Sequence, residues 1–454
     1  MKASKDLEMM LGDPKVAIRS MMLPLVISYL IVQVNVFADT SWCSGLGDAA
    51  ASAVSTIFPI YWVISCLGTG IGIGASTSIS RHLGKDEKTD ADSVATQTIV
   101  LSVIMGVILT PVFLIIMNPL IDWIGVSEIK GLCWEYMFPI IITTVVSILN
   151  GAIAGILRSE GAAKKSMIVL MSAAIINMVL DPLMIYGMGM GLSGAGWATV
   201  IATVISTVIA FYWYMTNKMF LTISFKDFHI KKDEMKDVLF VGIPRVTEST
   251  LVGALSLVQR VLIVPVAGIM GIAMYNIPWR YVSIAMVISQ AAGSALIPVC
   301  SAALGRNDNQ KAEKGFRYAF TVTTIVMIIL SVLVIVFAEY LIIPFSTSES
   351  MVPYRAEMAF GLRIYALTFV FMGMIDIGSS ILQSLRMATA SMFMSFVRNI
   401  ILVGLLFFAH NMDDIYWQLF VIEVIGGTTM MWMAIHEFRK YKRKRLLIPK
   451  RSAA

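Results

Sequence analysis

Three residues that are costly in lipid sit within six positions of one apolar run, AAIINMVLDPLMIYG, residues 173–187. Asn177 and Asp181 are spaced i, i+4, so an amide and a carboxylate share one helix face a turn apart. Pro182 has no N–H, which leaves the carbonyl of Met178 without its helical partner and favours a bend there. The local result is three kinds of oxygen turned toward one region. Two readings fit: a satisfied polar clip between helices, or a seat for a proton or hard cation, for which carboxylate and carbonyl oxygens are suitable ligands. Asp39 lies in a second apolar run. If it approaches Asp181, the two carboxylates resist ionising together, and the pair becomes a switch that a small positive charge can load.

The elements that must position these groups are membrane helices. The chain has 454 residues, 57% hydrophobic and 14% charged, with a mean hydropathy of +0.80. Soluble domains carry about 25% charged residues, so most of this protein's solvent is lipid. Twelve apolar runs, from 16–41 to 414–437, are long enough to cross a hydrocarbon core roughly 30 Å thick. The N-terminal stretch MKASKDLEMMLGDPK is charged and lacks an apolar core, so no secretory leader is expected. With an even number of spans both termini share one side, and the segments on that side hold 28 of the 35 basic residues. The opposite loops hold Lys130 and Arg355. That asymmetry predicts cytoplasmic termini in a multi-pass protein of the cell membrane. The net charge of +6 is therefore orientation bias and predicts no nucleic-acid partner.

The acids inside the runs include five well away from the basic side: Asp39, Asp181, Glu248, Asp376 and Glu423. An acid at a helix centre costs about 2.5–3.5 kcal/mol on insertion scales, so such groups face a cavity or a partner. Helix rise puts Asp181 about 24 Å and Asp39 about 30 Å from the basic side, and Glu248 and Asp376 near the midplane, about 15 Å in. Arg245, at i−3 from Glu248, is placed to neutralise it. Asp376 and Glu423 have each other, Arg260, Arg280, Arg363 and Arg398 as available partners, and the spacing does not choose among them. Cys43, Cys66, Cys133 and Cys300 show no metal or redox spacing and read as free buried thiols; Cys43 and Cys133, both near the outer surface, are the one pair placed to bond.

The chain divides at its least hydrophobic interior stretch. The expected organisation is an N-lobe at 1–215, a cytoplasmic linker at 216–236, a C-lobe at 237–438 and a basic tail at 439–454. A shift near 220 brings Pro24 onto Pro244 and HLGKDE (82–87) onto ALGRND (303–308). Two six-helix halves of the same orientation are related by an axis along the membrane normal. CLGTGIGIGAS (66–76) puts Gly68 and Gly72 on one helix face and Gly70 and Gly74 on another, a pattern for close helix contact rather than nucleotide binding.

The chain is similar to the MATE (multidrug and toxic compound extrusion) family. The carriers are residues 12–50, SRHLGK (80–85), ILRSEGAAKKS (156–166), INMVLDPLMIY (176–186), GLSGAGWATV (191–200) and VGIPR (241–245). The resemblance implies an all-α integral membrane fold of twelve helices in a V of two lobes. It implies a cation or proton site of Asp39, Asn177, Asp181 and Thr199, with Pro24 bending the first helix. In another branch of the family a helix-7 Glu and a helix-10 Asp do related work; Asp376 fits that Asp, and Glu248 lies too near Pro244 to fit the Glu well. Glu248, Asp376 and Glu423 are therefore candidates for a C-lobe substrate or ion site.

The expected function is antiport: organic, often cationic or amphipathic compounds leave in exchange for H⁺ or Na⁺ by alternating access, in a monomer embedded in lipid. No cofactor is expected, and no metal beyond Na⁺ in the N-lobe. Its 32 methionines suit an adaptable apolar cavity. A flippase for a lipid-linked precursor is the alternative. An enzyme is excluded by the lack of a catalytic constellation around His82, His229, His410 and His436, and an ATPase by the lack of a GxxxxGK[ST] loop.

Overall fold

The computed structural model describes residues 4–124, 126–226, 229–346 and 351–446, and among these every regular element is helical. Eleven helices are long and apolar enough to cross a membrane, and a bent pair supplies a twelfth span. The first six spans are Pro14–Ser44, Asp48–Gly84, Lys88–Ile124, the pair Lys130–Ile142 and Thr144–Ser159, Ala163–Pro182 continuing through Leu183–Gly187, and Gly191–Met215. The second six are Lys232–Gly268, Met270–Gly305, Asn309–Ile342, Arg355–Ser384, Ala388–Leu406 and Met412–Leu446. The chain is a multi-pass, all-α membrane protein of two six-helix lobes.

Local chemistry sets the starts of these helices. Asp13 caps the first span by accepting from the N–H groups of Lys15 (2.9 Å) and Val16 (3.3 Å), with Pro14 at the first helical position. Asp308 caps the ninth span through Lys311 N–H at 2.9 Å. The turns at the basic end repeat between halves: Asp86 (φ 63°) and Asn307 (φ 60°) both take the left-handed conformation that short polar residues tolerate.

Three backbone features depart from the sequence reading. The fourth of the twelve apolar runs, residues 132–156, is not one continuous helix: it breaks at Thr143 with a bend of 56°. Thr143 and Thr144 hydroxyls cover carbonyls that the break frees, donating to Pro139 (2.7 Å) and Ile141 (2.7 Å). The loop expected between the seventh and eighth spans contracts to non-helical backbone at Ala267 and Gly268, where φ of +64° favours glycine. Pro182 meets no sharp kink; it keeps helical angles, and the next residues, Leu183–Gly187, widen into a π-helical turn.

Apolar packing shows how the lobes are joined. One buried cluster draws on both lobes at the end of the basic turns, including Leu83, Leu157, Leu304, Leu385 and Phe438. Toward the other end packing divides. A cluster around Cys43, Ile57, Met137 and Leu192 belongs to the first lobe, and one around Met274, Tyr365, Phe369 and Tyr416 to the second. The molecule is a V whose apex lies at its basic end.

Backbones make the apex. Gly68 and Gly72 of the second span pack on Gly151 and Gly155 within the first lobe, while Gly70 and Gly74 pack on Val238, Gly242 and Val246 of the seventh span. The two glycine faces read from the sequence thus serve different contacts, one inside a lobe and one between lobes. At the tip the contact is reciprocal: Gly84 lies on the carbonyl of Ala302, and Gly305 on the carbonyl of Arg81. Arg81 Nη2 donates to Ser384 O (2.6 Å), and Arg306 Nε donates to Gly84 O (2.6 Å) while its Nη2 pairs with Asp86 (2.9 Å).

The connection between lobes is tied to the first lobe by Glu160. This buried carboxylate accepts from Tyr214 OH (2.8 Å) and from the N–H groups of Phe220 (2.9 Å) and Leu221 (3.1 Å). Burial pushes its carboxyl up to about 7, against the pull of these donors and of the Lys165 charge.

A side chain at Gly84 or Gly305 must displace backbone at the apex, and overpacking of this kind costs about 1–3 kcal/mol. Gly84→Ala and Gly305→Ala are each expected to lower the melting temperature of the detergent-solubilised protein. Gly404→Ala, where a Cβ meets nothing within 4 Å, serves as control. Equal melting of all three would contradict the close apex.

Candidate ion-binding site

The first, fifth and sixth spans pack together in the first lobe. Their helical register turns Asp39, Asn177, Asp181 and Thr199 toward a common interior. Asn177 is the hub. Its Nδ2 donates to Asp181 Oδ1 at 2.8 Å and to Thr199 Oγ1 at 3.4 Å, and its Oδ1 accepts from Asn35 Nδ2 at 3.0 Å. The i, i+4 spacing of Asn177 and Asp181 is what allows the shortest of these. Thr199 Oγ1 itself donates to Ala195 O at 3.1 Å, so its lone pairs face the cluster.

Asp39 joins from the side of the fourth span. Tyr136 OH donates to its Oδ2 at 3.1 Å, and Cys43 Sγ lies 3.8 Å from its Oδ1. No hydrogen bond links Asp39 directly to Asn177, Asp181 or Thr199 among the described residues. Asp181 is fully buried, and its second oxygen, Oδ2, has no hydrogen-bond partner; the same holds for Asn35 Oδ1. No basic side chain pairs with Asp39 or Asp181 among the described residues. The arrangement is a buried, oxygen-rich, net acidic nest, which can hold a proton or a monovalent hard cation.

The π-helical turn after Pro182 completes the outer rim of this region. It carries Tyr186 back toward the first span, where its hydroxyl donates to Trp42 O at 2.6 Å. Pro24 is buried inside a first span that is helical throughout.

The second lobe treats its acids differently. Glu248 pairs with Arg245 at 3.1 Å, as the i−3 spacing suggested, and its other oxygen accepts from Ser395 (2.6 Å) and Ser391 (3.3 Å). Glu423 pairs with Arg398 at 2.7 Å. Arg363 is drawn outward to Glu339 at 2.8 Å, and Arg280 lies over the Phe37 ring at 5.6 Å. The Arg260 side chain lies outside the described residues. Asp376 accepts from Ser289 at 2.6 Å, and among the described residues it has no ion pair within 4 Å. Of the three C-lobe acids, Glu248 and Glu423 form ion pairs with an internal arginine, and Asp376 forms none among the described residues.

Elsewhere, His82, Glu87 and Asp90 gather at the turn after the second span. His82 Nδ1 is 2.8 Å and Lys85 Nζ 3.4 Å from the Glu87 carboxylate, so this trio reads as an ion-pair cluster. All four cysteines are free and buried, as expected of small apolar residues.

Sequence reasoning missed Asn35, Tyr136 and Cys43. Asn35 and Cys43 were within reach, each one helical turn from Asp39. Tyr136 carries no such signal, because only the packing of the fourth span on the first brings it in.

Most of the chain is matched by a known family. The MatE family profile covers residues 24–183 and 244–408, one stretch in each lobe. The multidrug export protein MepA of Staphylococcus saprophyticus is 23% identical over 420 residues, covering 90% of each chain. MepA of Staphylococcus aureus is 22% identical over 415 residues, covering 90% of this chain and 91% of its own. Among solved structures, that of MATE in complex with MaL6 is 25% identical, with a TM-score of 0.94 over 97% of this chain and 100% of the other. An outward-facing multidrug resistance MATE family transporter of the MOP superfamily, 24% identical, has the same fold, with a TM-score of 0.94 over 98% and 100% of the two chains. This chain belongs to the MatE family.

Proposed function

We propose that the protein is a secondary antiporter that exports organic, often cationic or amphipathic compounds in exchange for H⁺ or Na⁺. The observation that carries this reading is the largely buried acidic nest of Asp39, Asn177, Asp181 and Thr199, which has unmet acceptor capacity and, among the described residues, no basic side chain paired with it. In a low-dielectric lobe such a nest needs a positive charge from outside. The driving ion supplies it.

Loading and unloading that charge changes how tightly the first, fifth and sixth spans hold together. The first span also touches the second lobe, where Tyr29 and Ser294 hydroxyls lie 3.0 Å apart and Phe37 lies under Arg280. It is the element through which an ion in one lobe reaches the cleft between the two. Pro24, within it, lacks an N–H and lowers the cost of bending there. Pro182 shapes the fifth span around the site.

Lys and Arg asymmetry makes the apex cytoplasmic, with both termini on that side of the cell membrane and a cleft that opens outward. The working division is 1–215, 216–236, 237–438 and 439–454, with a monomer as the unit and lipid as its solvent; it needs no cofactor or nucleic acid. Asp376, which forms no ion pair among the described residues, is the acid available to a cationic substrate. Glu248 and Glu423 serve structure. Kinship with proteins named as multidrug exporters supports a varied substrate range, and a lipid-precursor flippase is not favoured.

Three outcomes are expected. Asp39→Asn or Asp181→Asn abolishes gradient-driven export in proteoliposomes while each variant still folds; retained export in either removes the site. Pro24→Ala slows turnover more than it weakens substrate binding, and unchanged turnover argues against a bend. Arg245→Leu leaves the buried Glu248 carboxylate unpaired, which costs about 3–5 kcal/mol and shows as lower thermal stability. Arg245→Leu, Glu248→Leu together should recover most of that loss; no recovery would contradict a structural pair.

A further inference from the structure

Two buried acceptors at the site described above lack a donor, and they belong to different spans. One is Asp181 Oδ2 on the fifth, the other Asn35 Oδ1 on the first. The two residues are linked through Asn177, which accepts from Asn35 and donates to Asp181. An asparagine whose task were only to brace Asn177 would use its N–H donor and leave its carbonyl oxygen to a protein donor or to water. Here the donor is used, and among the described residues no protein donor reaches the buried oxygen. Leaving such an oxygen unmet is unfavourable, as is leaving half of a buried carboxylate unmet. A small positive charge between the first and fifth spans relieves both.

We propose that Asn35 is a direct ligand of the coupling ion, its Oδ1 and Asp181 Oδ2 together seating the charge; this rests on the ion-coupled reading of the same site. A hard cation takes several oxygens at once, and a neutral amide oxygen adds coordination without adding to the repulsion between Asp39 and Asp181. A proton meets the same need: bound to Asp181 Oδ2, it removes the buried negative charge and turns that atom into a donor. Asn35 also stands one turn before Asp39 on the same helix face, so the ion it holds is tied to the span that touches the second lobe.

The test is export of one fixed organic cation from proteoliposomes, titrated with Na⁺ at constant pH and, separately, with a pH gradient in sodium-free buffer. Asn35→Leu removes oxygen and donor; Asn35→Asp keeps an oxygen and loses the donor to Asn177. Asn35→Leu is expected to raise the half-saturating concentration of the driving ion about tenfold or more, roughly the loss of one good ligand, with maximal export retained at saturation. Asn35→Asp is expected to keep half-saturation at or below the wild-type value. The arm that shifts identifies the ion. An unshifted titration in Asn35→Leu, or an Asn35→Asp variant that behaves like Asn35→Leu, overturns the assignment and leaves Asn35 as a brace. Asp181→Asn run in parallel separates the two levels. If it still exports, the site reading itself falls; if it is dead while Asn35→Leu titrates normally, only Asn35 is wrongly placed.

Discussion

A carboxylate buried in a lipid-embedded helix bundle with half its acceptor capacity unmet is the constraint on which the rest depends. Asp181 is fully buried and holds one hydrogen bond, from Asn177, on one oxygen. In water its second oxygen would cost nothing; inside the lobe it must be neutralised. Glu248 and Glu423 show the ordinary solution, an arginine at 3.1 Å and 2.7 Å. At Asp39 and Asp181 no described basic side chain supplies that solution. A protein that withholds a permanent counter-charge leaves room for a temporary one.

The apex gives that temporary charge something to move. The lobes meet there backbone to backbone through Gly70, Gly74, Gly84 and Gly305 and share one apolar cluster, while beyond it each lobe keeps its own. Contacts made backbone to backbone and through arginine-to-carbonyl bonds are specific, and they are gathered at one end of the molecule. Each lobe can therefore stay rigid while the joint between them changes, as a repeat architecture built for rocking requires. The left-handed turns at Asp86 and Asn307 show how far the two halves follow one plan.

Much of this was legible before any coordinates. Helical spacing alone placed Asn177 beside Asp181 and Arg245 beside Glu248, because i, i+4 and i, i+3 neighbours need no tertiary knowledge. The two faces of the Gly68–Gly74 run followed from the same period. Pairings between distant spans stayed open. Arg398 was one of several partners offered to Glu423, and only packing selected it. Tyr136 reaches Asp39 across spans and leaves no mark in local sequence. The break at Thr143 and the π turn after Pro182 were hidden for another reason: a proline marks where a helix is weakened, but neighbouring hydroxyls and carbonyls decide whether it kinks, breaks or widens. Glu160, which reads as a loop acid, turned out to tie the connection between lobes to the first lobe.

The most direct test is to watch the carboxyls themselves. Infrared difference spectra of the purified protein, recorded on adding Na⁺ at constant pH and on stepping the pH without it, report protonation and coordination of buried acids. The account predicts a carboxyl band that changes with one of these perturbations and disappears in the spectrum of Asp181→Asn. A spectrum that Asp181→Asn leaves intact, or that neither perturbation changes, would mean that no ion is seated there.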